Sequence, residues 1–269
     1  MAVILTKEQT LKSQSDILRK ENKILSKLSP ILMILGTALI IAGVIVLFVS
    51  KDSDNYTLII VGVFLIFVGF GQRYKKNYNE DDVNKMKYGK KGENFVLNNL
   101  KNKLPDNYYI LNDCNVKGVG MEKSQIDHLL VSADGIFVIE TKNYKGRIEG
   151  AALDKDVLQT KTSQDGREEK QYVSNPVSQN EYHCKVFKDF LKINKINISE
   201  EFIKSVIIFA NKFVEVNIFN VDEKNIYVGK MFGALDFIKE NSKQSVISAD
   251  EINKLLKLLV PNFSGISSN

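Results

Sequence analysis

The chain is 269 residues long, 44% apolar, and carries 37 Lys and Arg against 32 Asp and Glu, a net charge of +5. Acids and bases are mixed along the soluble part, so no strongly basic, aromatic-studded surface singles out DNA or RNA. Two histidines and two cysteines, scattered along the sequence, argue against a zinc site, and cysteines of a cytoplasmic domain would be free thiols.

Residues 1–29 predict an amphipathic cytoplasmic helix. Leu11, Leu18 and Leu25 recur at sevens, with Ile17, Ile24 and Leu28 beside them. Such a helix could pair with a copy of itself as a homo-oligomer, lie on headgroups, or serve as a charged lead-in. Ile31 to Val49 is an almost unbroken apolar run. At 1.5 Å per residue it approaches the ~30 Å of a bilayer's hydrocarbon. Tyr56 to Gly71 is a second uncharged run, joined to the first by the polar stretch Ser50–Asn55. Residues 30–72 therefore predict a transmembrane helical hairpin with spans of about 31–49 and 56–71. Lys7, Lys12, Arg19, Lys20, Lys23 and Lys27 precede it, and Arg73, Lys75, Lys76, Lys85, Lys87, Lys90 and Lys91 follow. The positive-inside rule places both termini on the cytoplasmic side of the cell membrane. A signal peptide is not expected, because the apolar run begins about thirty residues in.

Residues 73–269 predict one cytoplasmic α/β domain, large enough for a proper core. Glu80–Leu104 reads as a helix and Tyr108–Asn112 as the first strand. A strand pair follows at about 124–132 and 135–143, with a further turn and strand from Gly146. Lys161–Lys170 is the most polar stretch and reads as a loop. Asn175 as cap and Pro176 at the first helical position start a helix to about Lys192. Strands at Val206–Ala210 and Ile226–Val228, a helix over 232–240, and a last helix capped by Ser248 and Glu251 complete the domain. Gly118–Ser124 has a phosphate-loop flavour but carries Glu122 where a glycine is required, and it leads into a strand, so no ATP dependence is expected.

The chemistry concentrates in the strand pair. Apolar runs flank Asp134-Gly135, a strong hairpin signal. If those two residues form the loop, Asp127 lies opposite Lys142, and Asp127, Glu140 and Lys142 project from one face. Another loop length or a bulge would shift this register. Two carboxylates close together call for a hard divalent cation, and a lysine beside it could orient water or offset charge on a phosphate. The alternative is a surface hairpin with a cross-strand ion pair, worth at most ~1 kcal/mol. The strands are too apolar on both faces for that.

Gly92-Glu93, Gln125-Ile-Asp127-His128, Ile139-Glu140-Thr141-Lys142-Asn143 and Asn175-Pro-Val-Ser-Gln179 resemble the NERD (nuclease-related domain) family of the PD-(D/E)XK nuclease superfamily, best over residues 86–195. The resemblance implies a restriction-endonuclease-like mixed sheet flanked by helices. It implies Asp127 and Glu140 as ligands of Mg²⁺ or Mn²⁺, helped by the Thr141 carbonyl, with Lys142 positioning water. Glu93 would support the metal, and Gln179 would be auxiliary or a plain helix-face residue. Lys90, Lys91, Lys145 and Arg147 could meet a phosphate backbone. His128 is expected to be a hydrogen-bonded core residue, and His183 lies on the helix after Gln179. The function this implies is a membrane-anchored, metal-dependent nuclease acting on nucleic acid, DNA before RNA. The alternatives are a silent nucleic-acid or protein binding module, or a membrane scaffold.

Overall fold

A computed structural model of the protein describes residues 1–6, 10–50, 56–120, 123–242, 245–261 and 263–265. The chain divides into two compact units, Thr10–Lys87 and Met1–Gln9 with Tyr88–Asn269.

The first unit comprises helix α1 (Thr10–Ser50) and the leading part of helix α2 (Thr57–Lys103). Each helix includes a stretch long and apolar enough to cross a membrane. Large apolar side chains on both are exposed, Phe48 and Phe67 among them. The helices run antiparallel and touch through glycine. A Cβ on Gly36 would lie 2.6 Å from the Gly62 carbonyl oxygen, and one on Gly62 equally close to that of Gly36. Gly43 likewise abuts Ile59, and Gly69 abuts Met33. Ser29 Oγ donates to the Gly69 carbonyl at 2.9 Å. Lipid offers no hydrophobic drive for helix association, so close backbone approach through small residues is the expected means of holding such a pair. Beyond the apolar stretches, Glu21 pairs with Lys75 and accepts from Asn79. The Lys51–Asn55 part of the expected connecting turn lies outside the described residues.

Two differences from the sequence expectation concern these helices. The helix expected over residues 1–29 begins at Thr10, and Val3–Ile4 instead form strand β1. The helix expected from Glu80 is the continuation of the second apolar helix, because no proline interrupts residues 57–103. Pairs such as Lys76–Glu80 support it across the polar stretch.

The second unit is built on a six-stranded mixed sheet. Its strands after β1 are β2 (Tyr109–Lys117), β3 (Lys123–Ser132), β4 (Gly135–Lys142), β8 (Ile203–Phe209) and β10 (Ile226–Gly229), in spatial order β1-β2-β3-β4-β8-β10. β2, β3 and β4 pair antiparallel, whereas β1 on β2, β8 on β4 and β10 on β8 are parallel. Helices α3 (Pro176–Ile193) and α5 (Ala249–Leu259) cover one face, through Val186, Phe187, Leu191, Leu255 and Leu256 against Leu129 and Val138. The end of α2 and helix α4 (Met231–Glu240) cover the other, through Val96, Leu100, Leu235 and Ile238 against Leu130, Phe137 and Ile139. A smaller sheet, ordered β7-β6-β5-β9, comprises β5 (Arg147–Ala151), β6 (Asp156–Thr162), β7 (Glu168–Ser174) and β9 (Glu215–Phe219). The polar stretch expected as a loop over 161–170 is thus mostly a hairpin, whose outer strand β7 is exposed along nearly its whole length.

Asn175 does cap α3, accepting from Val177 N at 3.0 Å, while its amide donates to the carbonyls of Ala151, Ala152 and Asp154. Ser248 accepts from Glu251 N at the start of α5. The Glu251 carboxylate turns away to Asn197 N instead of closing the capping box.

Candidate active site

The β3–β4 hairpin turns one residue earlier than expected, which shifts the pairing register by two. Ser132 pairs with Gly135, so Ala133-Asp134 form the loop, and the ladder runs through Leu130↔Phe137 to His128↔Ile139. Asp127 is thereby brought opposite Glu140 instead of Lys142. A shift of two residues preserves the face of every side chain, because the side-chain period along a strand is two.

The two strands separate where the ladder ends. β3 stays with β2, through Cys114↔Ile126 and on to Lys117↔Lys123, while β4 stays with β8 through Glu140↔Ile207 and Lys142↔Phe209. In the fork between them the Asp127 carboxylate takes over as acceptor for the Thr141 N–H, at 2.8 Å. Side-chain alternation also breaks here. Leu129 and Val131 share a core cluster with Ile126, an odd-to-even switch that a regular strand does not allow. The neighbouring strand breaks at the same level, where Asp113 adopts a φ of 50° and drops out of the pairing. Asp tolerates this left-handed conformation better than most residues.

Three elements deliver side chains to the fork. Lys142 Nζ lies 2.7 Å from Glu140 Oε1 and donates to Gln179 Oε1 at 2.8 Å. Gln179 comes from α3, which is pinned to the sheet by the next residue: the Asn180 amide donates to Val138 O and Ser205 Oγ. One turn further along α3, His183 Nε2 lies 3.5 Å from Glu140 Oε2, and its Nδ1 lies 2.5 Å from Ser124 Oγ. Glu93 comes from α2. A Cβ on the preceding Gly92 would lie 2.8 Å from the Asn143 Cβ, so glycine lets the helix approach the end of β4. Asn143 in turn donates to Tyr88 O at 2.7 Å.

The electrostatics of the fork are unbalanced. Burial, then repulsion from Glu140 and from Glu93, pushes the Asp127 carboxyl well above the usual carboxylate range. Burial acts on Glu140 in the same direction, but His183 and Lys142 outweigh it and hold this carboxyl below its usual range. Burial acts to lower Lys142, yet the charge of Glu140 prevails and keeps the ammonium protonated. Glu140 is only 3% exposed, and its Oε2 makes no hydrogen bond. A buried carboxylate oxygen without a partner, facing a second carboxyl that resists ionisation, is a site short of positive charge.

The other expected residues fall around this centre. Thr141 is buried, and its N–H serves Asp127. Lys90 and Lys91 precede Glu93 on α2, and Lys145 Nζ stands 5.2 Å over the Tyr88 ring. Arg147 lies on β5 and is paired with Glu149 at 2.9 Å. His128 is buried away from the fork, with Nδ1 2.7 Å from Asn112 Oδ1, and burial pushes its imidazole down to about 4. The Gly118–Ser124 stretch leads into β3, with Met121 and Glu122 outside the described residues. Sequence reasoning did not bring His183 and Ser124 to the site. The available signal was the four-residue step from Gln179 to His183, which puts both on one helix face.

The family model described as nuclease-related domain matches residues 88–210, which include Glu93, Asp127, Glu140, Lys142, Gln179 and His183. An uncharacterised protein of Bacillus anthracis is 34% identical over 104 residues, covering 37% of this chain and 45% of that relative. The chain thus spans less than half the length of that relative. No solved structure matches. Residues 88–210 are thus similar to the nuclease-related domain family.

Proposed function

We propose that the protein is a membrane-anchored, metal-dependent nuclease that hydrolyses phosphodiester bonds of nucleic acid, DNA before RNA. The observation that carries this is the Asp127–Glu140 pair at the strand fork, Glu140 buried and Asp127 half-buried, with Lys142 held between Glu140 and Gln179. The fork fits a hard divalent cation, since Glu140 Oε2 is buried without a hydrogen bond and Asp127 resists ionisation beside it. Asp127, Glu140 and the Thr141 carbonyl would hold Mg²⁺ or Mn²⁺. When bound, the ion supplies Lewis acidity toward a phosphoryl oxygen and lowers the pKa of a coordinated water. Among the described residues no three His, Cys, Asp or Glu side chains form a closed ligand cluster. A cation held by Asp127 and Glu140 would keep several waters, with Glu93 acting on the carboxylates through its charge.

The chain's own groups divide the remaining work. Lys142 can orient the attacking water or offset charge growing on the phosphate. Gln179 fixes the ammonium. Lys145, exposed above Tyr88, together with Lys90 and Lys91, would meet the flanking phosphates. Arg147, already paired with Glu149, would contribute less.

The two apolar helices supply the membrane anchor. Strand β1 precedes them, yet it pairs with β2 of the domain that follows them. Both ends of the hairpin therefore lie on one side of the bilayer, and the lysine-rich flanks make that side cytoplasmic. Exposed Ile17, Ile24 and Leu28 on α1 leave an apolar stripe for a second copy.

The test uses the full chain in detergent micelles, with labelled single-stranded, double-stranded and branched DNA and with RNA, plus Mg²⁺ or Mn²⁺, beside Glu140→Ala. Metal-dependent cleavage that the variant loses is expected. Binding without cleavage, unchanged in the variant, would replace the nuclease with a binding module, and neither activity would leave a membrane scaffold.

A further inference from the structure

We infer that Ser124 and His183 form a positioning pair that fixes Glu140 for the cation. The inference deepens the nuclease proposal and rests on it for the identity of the ligand. His183 is 8% exposed and Ser124 3%, so their contact of 2.5 Å is shielded from water. His183 Nε2 lies between two groups, Glu140 Oε2 at 3.5 Å and Gln179 Nε2 at 3.4 Å. These make opposite demands on the ring. A carboxylate only accepts, so it requires Nε2 to carry hydrogen. The Gln179 amide nitrogen only donates, so it requires Nε2 to be bare. The Gln179 oxygen is already committed to Lys142, so the amide cannot flip to relieve the conflict without losing that bond.

Glu140 decides the matter. Leaving a buried carboxylate oxygen without a donor costs more than leaving one amide hydrogen poorly paired. Nε2 of His183 therefore carries hydrogen, aimed at Glu140, and in the neutral ring Nδ1 then accepts from the Ser124 hydroxyl. Ser124 can donate because its rotor is free to turn, and in doing so it selects the tautomer. Glu140 is then flanked at both oxygens, Oε1 held by Lys142 from its own strand at 2.7 Å and Oε2 faced by His183 from α3 at 3.5 Å, a contact too long to satisfy that oxygen. That holds the carboxylate toward Asp127 across the fork. In this inference His183 acts through Glu140 and is not itself a ligand. Outer partners of this kind are commonly worth about 10- to 100-fold in metal affinity.

The test has two readouts on the full chain in detergent. The first is the tautomer, from ¹⁵N-histidine NMR of metal-free protein, where only His128 and His183 contribute signals. Wild type is expected to show hydrogen on Nε2 of His183, and Ser124→Ala to lose that preference. The second is Mn²⁺ affinity. His183→Ala is expected to weaken it about 10-fold or more, and His183→Gln, whose amide can still reach Glu140, to weaken it less. Thermal unfolding of each variant separates this loss from a general loss of fold. Hydrogen on Nδ1 in wild type would overturn the pair. So would Mn²⁺ affinity unchanged in His183→Ala, and so would ¹⁴N coupling from His183 to bound Mn²⁺, which would make it a ligand. Wild type that binds no Mn²⁺ would sink the nuclease proposal instead, leaving the tautomer to decide the pair.

Discussion

At the closed end of the β3–β4 hairpin every charge is answered. Asp134 accepts from Ser245 N at 2.9 Å through one carboxylate oxygen and from Asn107 Nδ2 at 3.3 Å through the other. Its own N–H reaches Ser132 Oγ, and the Ala133 carbonyl accepts from Ile247 N. At the open end, five residues from the closing Ser132–Gly135 pair on each strand, Asp127 and Glu140 oppose each other. There one carboxyl is pushed out of its range and one oxygen is left bare. The fold evidently has the means to satisfy a carboxylate on this hairpin. That it does so at the turn and leaves the fork short of positive charge is what the proposed cation-binding role of the fork would require.

Substitutions at the two ends should therefore have opposite signatures. The largest effect is expected for Glu140→Ala, which removes a carboxylate of the proposed metal site and should lower metal-dependent cleavage by on the order of 10³-fold or more. Lys142→Ala should cost roughly 10²-fold in the same assay while leaving metal affinity, followed by calorimetry, much less changed. At the closed end, Asp134→Ala should do the reverse. Thermal unfolding would show a loss of about 1–2 kcal/mol from two broken hydrogen bonds, with cleavage per folded molecule intact. If Asp134→Ala silenced cleavage without destabilising the domain, the contrast between the ends would collapse. The smallest effect is one of pH. Binding a cation requires Asp127 to ionise, so metal affinity should fall as pH drops through its raised pKa, with proton release on binding.

Much of this was legible in the sequence because periodicity is robust. The turn was misplaced by one residue and the register by two, yet Asp127, Glu140 and Lys142 kept their shared face, since an even slip does not change sides. The caps at Asn175 and Ser248 were readable from residue type alone. What escaped had physical reasons. β1 is two residues long and exists only through its pairing with β2. β7 is a strand of charged and polar residues because neither face is deeply buried, so it carries no hydrophobic alternation to read. The break at Asp127–His128 depends on Asp113 in the adjacent strand, a tertiary match that no local pattern encodes. His183 reaches Glu140 only because Asn180 anchors α3 across β4 and β8. The glycines at 36, 43, 62 and 69 lay in plain view within the apolar runs, but which pairs would meet depended on the register of the hairpin.

The most direct test of the stored imbalance is the thermal stability of metal-free wild type and Asp127→Asn across pH. The folded-state pKa of Asp127 is raised above its unfolded value. Its contribution to stability is thus fully present at low pH and is lost as pH rises through the folded pKa. Asparagine matches the protonated acid in shape and never ionises, so the two proteins should be about equally stable in acid. With rising pH the variant should become the more stable, by about 1 kcal/mol or more, and Mg²⁺ should narrow the gap by stabilising wild type alone. A variant less stable than wild type at neutral pH without metal would mean that Asp127 supports the fold, and the account of the fork would be wrong.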